Sequence, residues 1–124
     1  MLKHDIAVSV QTEYLAQQST PAESRFVFAY HITITNCGSE PAKLQSRHWI
    51  ITNGNEKVQE VNGNGVVGEY PRLASGESFQ YTSGTVMDTV VGSMYGSYLF
   101  IADDGTEFNA TIRPFTLSVT HQVH

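Results

Sequence analysis

The sequence predicts an all-β domain, a two-sheet antiparallel sandwich of about seven strands. Three observations lead there. Val, Ile and Thr number 12, 7 and 12, against 3 Lys, 6 Leu and 8 Ala, a balance that favours strands over helices. Alternation of apolar and polar residues with period two recurs seven times. Turn chemistry separates the alternating runs. The 124 residues suffice for one domain, read as spanning 1–124, and are too few for two of ordinary size.

The elements follow in order. Ile6, Val8, Val10, Thr12 and Tyr14 share one face of the first strand. Phe26, Phe28, Tyr30, Ile32 and Ile34 share one face of the second, opposite Val27, Ala29, His31, Thr33 and Thr35. An apolar face of that size must pack on another sheet. The third strand runs from about Lys43 to Thr52 and carries Trp49, and a short fourth covers Val58 to Asn62. The fifth holds Phe79 and Tyr81. The sixth spans Ser93 to Ala102, with Met94, Tyr98 and Phe100 on one side and Tyr95, Leu99 and Ile101 on the other. The last runs from Glu107 to Val119, where Pro114 removes a ladder donor and marks an edge strand or a bulge.

Asp104-Gly105 suits a tight hairpin, Asn53-Gly54-Asn55 a slightly longer one, and Asn36 to Pro41 a polar turn. Thr20-Pro21-Ala22-Glu23 could cap a helix, but Arg25 already begins a strand. A single cysteine, Cys37, rules out an antibody-type disulfide. A fibronectin type III-like, immunoglobulin-like sandwich fits best, with a closed barrel as the alternative.

Composition also bounds the partners. The formal charge of −5 argues against duplex nucleic acid, whose phosphates need a surplus of Lys and Arg. The longest apolar runs are a few residues, far short of a membrane helix. The N-terminal residues lack a signal-peptide layout, and one unpaired cysteine suits a reducing compartment, so a cytoplasmic location is expected.

The sharpest local feature is Gly63-Asn64-Gly65-Val66-Val67-Gly68, which has the spacing of a dinucleotide fingerprint. That fingerprint works by seating a pyrophosphate on a helix N-terminus. Here Glu69, Tyr70 and Pro71 follow, and Pro71 disfavours helical geometry at Tyr70. A looser alternative is an anion-binding nest of backbone N–H groups, with Arg47 and Arg72 supplying charge. Against it stands a crossover turn that simply needs positive φ.

Other chemistry is sparse. His121 and His124 sit three apart near the C-terminus, too few for a metal site and read as solvated. His31 and His48 read as surface or half-buried strand residues, and Asp103-Asp104 as turn residues. No G-x-S-x-G elbow or converging nucleophile, base and carboxylate stands out, so no catalytic residue, metal or cofactor is assigned. Trp49 reads first as inter-sheet core. Arg47, two residues away on the same face, instead suggests a rim or a partly exposed interaction face formed by Arg47 and Trp49. Tyr70, in the glycine-rich loop, reads as exposed.

Several runs carry a family resemblance: Arg47 to Thr52, Val61 to Leu73, Gly76 to Gly84, and Gly92 to Tyr98. Together they resemble the ApaG (CorD) family across essentially the whole chain. The resemblance implies a fibronectin type III-like sandwich and a small stand-alone bacterial protein. It further implies kinship with domains that serve as protein-interaction modules in larger eukaryotic proteins, and a genetic link to cobalt resistance and magnesium efflux. It brings no catalytic residues.

The functional expectation is a non-enzymatic binding module for a protein partner, not for nucleic acid or membrane. Its surfaces would be a strand edge and the loop carrying Gly63, Gly65, Gly68, Glu69, Tyr70 and Arg72. A homodimer through paired edges is a further possibility. The alternative function is a sensor of a small anion or a divalent cation such as cobalt or magnesium.

Overall fold

The alternating runs become two antiparallel sheets packed face to face. The computed structural model describes residues 1–119; His121 and His124 lie outside them. In chain order the strands are β1 (Ile6–Tyr14), β2 (Phe26–Asn36), β3 (Ala42–Asn53), β4 (Val58–Asn64), β5 (Arg72–Leu73), β6 (Ser78–Met87), β7 (Val91–Ala102) and β8 (Glu107–Ser118). One sheet has the order β1-β2-β6. The other has the order β4-β3-β7-β8, and the two-residue β5 pairs with β3 beyond the end of β4. This is the predicted sandwich. The additional strand β5 is too short to leave a period in the sequence. Two 3-10 turns, Ala16–Gln18 and Pro21–Glu23, take up the segment between β1 and β2, so the capping signal at Thr20-Pro21 does open a single helical turn. No helix among the described residues is long and apolar enough to cross a membrane.

The core lies between the sheets. Phe28, Ile32 and Ile34 from β2 meet Leu44, Trp49, Met94, Tyr98, Phe100, Ile112 and Leu117 from the opposite sheet. Trp49 is 2% exposed and packs edge-on against Tyr30, Tyr98 and Phe115 at ring separations of 5.4, 6.3 and 5.9 Å. The exposed interaction face expected at Arg47 and Trp49 therefore does not form. The indole is enclosed by aromatic side chains of both sheets, as the core reading had it.

Two bulges set which residues face inward. On β3 the register shifts between Leu44 and Ser46. Ala42 and Leu44 are buried before the shift, whereas Trp49 and Ile51 join the core after it. One extra residue thus exchanges odd for even positions. On β8, Met94 of β7 pairs with Phe115 and Gly96 with Ile112, so Arg113 and Pro114 fall in an irregular step. Ala110 and Ile112 are buried before it and Leu117 after it. Pro114 is both on an edge strand and at a bulge.

Three buried polar side chains tie the layers. Asn36 is 1% exposed and fully bonded. Its Nδ2 donates to the carbonyls of Glu40 and Leu73, and its Oδ1 accepts from the Gly38 N–H, each at 2.9 Å. It fastens β5 to the turn after β2. Between the sheets, the hydroxyls of Tyr81 (β6) and Tyr98 (β7) lie 2.5 Å apart. Burial pushes the Tyr81 hydroxyl up to about 12, an effect the Tyr98 hydrogen bond opposes. Burial, reinforced by Tyr81, pushes Tyr98 up as well.

Two expectations follow. Trp49→Ala should lower the unfolding free energy by about 3–5 kcal/mol in a urea titration; a loss below about 1 kcal/mol would return Trp49 to the surface. Both buried tyrosines stay protonated in the folded chain while unfolded tyrosines ionise near pH 10, so the unfolded state loses its protons first. The contribution of these two tyrosines to stability is therefore constant below about pH 10. It should fall by about 1.4 kcal/mol per buried tyrosine per pH unit above that, with the window for Tyr81 closing near pH 12. Alkaline melts monitored by tryptophan fluorescence test this, and Tyr98→Phe should flatten the slope.

Candidate functional site

The bulge in β3 is also where the glycine-rich segment leaves the sheet. β4 ends at Asn64 opposite Ser46, and the Gly65 N–H donates to the Gln45 carbonyl at 2.9 Å. The chain returns at Pro71, whose carbonyl accepts the Leu44 N–H at 2.9 Å, and continues as β5. Residues 65–71 therefore form an excursion clamped at both ends to the two sides of one bulge.

The excursion is a tight hairpin. Val66 and Glu69 exchange two backbone hydrogen bonds, at 2.9 and 2.8 Å. The two central residues, Val67 and Gly68, have φ of 43° and 80°, as a primed type I turn requires. Glycine at 68 suits this conformation. Valine at 67 does not, because a β-branched side chain in the left-handed region is a true outlier. No helix opens behind Gly68, so the dinucleotide-type reading ends here. Val66 is fully buried, whereas Val67 is 56% and Tyr70 48% exposed.

Arg47 braces the hairpin from the sandwich side. Its Nη1 donates to the carbonyls of Asn64 and Gly65 at 3.0 and 2.8 Å. The guanidinium lies directly on Gly63, where a Cβ would come within 2.5 Å of Arg47 Cζ. Gly63 thus permits the close approach of the arginine. Arg72 pairs with Asp103 at the β7–β8 turn and holds that carboxyl below the usual carboxylate range. The side chain of Glu69 is exposed at the loop. Within the hairpin the N–H groups of Gly65, Val66 and Glu69 bond to carbonyls, Arg47 Nη1 bonds to two carbonyls, and Arg72 bonds to a carboxylate.

Arg47 and Trp49 do meet in a different place. They line a cleft of about 330 Å³ between the sheets, with Tyr30, Ile51, Val61 and the Ser83–Val86 stretch of β6. A second hollow of about 330 Å³ adjoins it and shares Ile51, Gln59 and Val86. The cleft exists because three strands face four. β1 packs beside β8 at the other border, as the hollow lined jointly by Ile6, Val8, Phe108 and Ala110 shows. That leaves the inward side of β4 without a strand above it.

One arrangement has no signature in the linear sequence. His31 Nδ1 lies 2.8 Å from Thr82 Oγ1, and His31 Nε2 lies 3.2 Å from Glu13 Oε1. Three adjacent strands thus align a hydroxyl, an imidazole and a carboxylate. They stand on an open sheet face, in a shallow hollow lined by Ser9, Gln11, Thr33 and Gln80. β2 is paired on both sides, so its N–H groups beneath the hollow are held in ladders and not aimed at a developing oxyanion. The arrangement sets an imidazole between a hydroxyl and a carboxylate. Cys37 is exposed, and His48 reaches Glu60 at 2.5 Å on the outer face. Among the described residues no three His, Cys, Asp or Glu side chains converge as metal ligands do.

A family model described as the ApaG domain matches residues 16–102, which hold every strand from β2 to β7. The chain is 53% identical to Protein ApaG of Pseudomonas fluorescens (strain Pf0-1) over 122 residues, covering 98% of this chain and 97% of that one. It is 50% identical to Protein ApaG of Shewanella sp. (strain MR-4) over 123 residues, covering 99% and 98%. The crystal structure of the putative ApaA protein from Bordetella pertussis superposes with a TM-score of 0.92 at 49% identity, covering 94% of this chain and 95% of that one. The chain belongs to the ApaG domain family.

Proposed function

We propose that this chain is a non-catalytic protein-binding domain that docks through the tip of the 65–71 hairpin. The observation that carries the reading is Val67. A left-handed conformation costs a branched L-residue on the order of 1–2 kcal/mol, and Val67 holds it with its side chain turned largely to solvent. The folded chain gains little burial in return. Strain kept at an exposed apolar residue is a mark of function served elsewhere than in the fold. Tyr70 stands two residues beyond Gly68 and is also exposed, with its ring against Gly65 in the same hairpin. Exposed aromatic and aliphatic anchors on a rigid frame are what protein interfaces use, because little freedom is lost on docking. The frame here is the double donation from Arg47 and the two clamps at Gln45 and Leu44.

The reading separates stability from binding at one residue. Val67→Gly relieves the strain and should raise the unfolding free energy by about 1 kcal/mol, partly offset by the extra freedom glycine has when unfolded. The same variant, and Tyr70→Ala, should lose a partner that the wild-type chain captures reproducibly from cell lysate. A capture experiment that recovers nothing reproducible, or a partner retained by both variants, sets the proposal aside.

A further inference from the structure

The cleft beside β6 carries an inference separate from the hairpin tip. In the smaller sheet β6 is an outer strand, and the order of hydrogen bonds shows which of its groups face outward. The Asn36 N–H donates to the Glu77 carbonyl, while the Cys37 N–H donates to Asp5 on the β1 side. Even-numbered residues of β2 therefore bond toward β6. By the register, their partners are the odd residues 79, 81, 83, 85 and 87. The N–H and C=O groups of residues 78, 80, 82, 84 and 86 point to the open side.

That open side is unguarded. Outer strands are usually blunted by charge or proline. β1 has Glu13, β4 has Glu60, and β8 has Glu107, Arg113 and Pro114. The ten residues of β6, Ser-Phe-Gln-Tyr-Thr-Ser-Gly-Thr-Val-Met, include none. A strand laid beside β6 would lie above β4, in the place that the three-on-four arrangement leaves vacant. Its side chains opposite Ser83 and Thr85 would enter the cleft against Ile51, Val61 and Arg47.

Arg47 decides the occupant. Its guanidinium is partly buried and bonds to neutral carbonyls, and among the described residues no carboxylate lies within ion-pair distance of it. A half-buried cation without a counter-charge favours an acidic group in the cleft. A second copy of β6 brings no such group. We propose that the place beside β6 receives an extended segment of a partner protein as a fourth strand, with an Asp or Glu side chain of that segment meeting Arg47.

The test uses a phage-displayed library of random dodecapeptides panned against the full chain. Enriched peptides should alternate apolar and polar residues around one Asp or Glu. Replacing that acid by its amide should weaken binding at least tenfold. Val86→Pro removes an outward N–H without touching the β2 ladder and should weaken binding as much, with an unchanged melting temperature. Amide exchange at Gly84 and Val86 should slow in the complex. No enrichment, peptides indifferent to Val86→Pro, or protection confined to residues 65–70 overturns the proposal; the last result would leave the hairpin docking intact. Protection of Gly84 and Val86 that rises with chain concentration alone overturns it too, because a second copy then occupies the place.

Discussion

A single inserted residue in β3 governs both the core and the surface. Without the step at Gln45, the inward run Ala42, Leu44 would continue through even positions and place His48 and Ile50 between the sheets. With it, Trp49 and Ile51 point inward and Arg47 reaches the sandwich border. The same step turns the Gln45 carbonyl toward Gly65 and leaves Leu44 to receive Pro71. The excursion 65–71 is thus anchored by backbone groups that a regular ladder would have used between neighbouring strands. Core packing and loop position are two results of one irregularity.

The unequal sheets explain the cleft. Along the border where β1 meets β8, His4 packs against Phe108 and Lys3 pairs with Asp104, beside the hollow lined by Ile6, Val8, Phe108 and Ala110. The other border has no equivalent of β1 above β4. The apolar inner side of β4 therefore meets solvent at Val61, and the cation of Arg47 sits where the sandwich opens. Arg47 is at once a brace for the hairpin, through its two carbonyl acceptors, and the charged wall of the cleft. The two surfaces share this one side chain but present different chemistry: an apolar tip in one case, hydrogen-bonding backbone and positive charge in the other.

Much of this was legible in the residues, and the omissions have physical causes. Strands whose buried faces keep one parity, β2 above all, read directly from the alternation. Pro114 announced its own bulge because proline cannot donate to a ladder. Gln45 gave no such notice: it is an ordinary residue, and only the loss of parity between Leu44 and Trp49 betrays it. Arg47 and Trp49 read as an ambiguous rim because an arginine shares the face of the tryptophan. The hairpin at Val67 was hidden for a related reason, since primed turns are recognised by Asn or Gly and the first central position here is a valine. A third turn makes the same point. In the β3–β4 connection the left-handed residue is Glu56, while Gly54, the residue that drew attention, has no positive φ. Contacts between distant strands, such as Glu13, His31 and Thr82, leave no trace in spacing because register is a property of pairing.

The two clamps of the 65–71 excursion have an evolutionary corollary. Its ends are fixed within one strand-pairing distance of each other, and neither clamp uses a side chain of the loop. Lengthening such a closed segment costs little, on the order of 0.6 kcal/mol per doubling. The scaffold can therefore accept insertions between Val66 and Tyr70 while keeping the same interior, with the added chain placed wholly outside the sandwich.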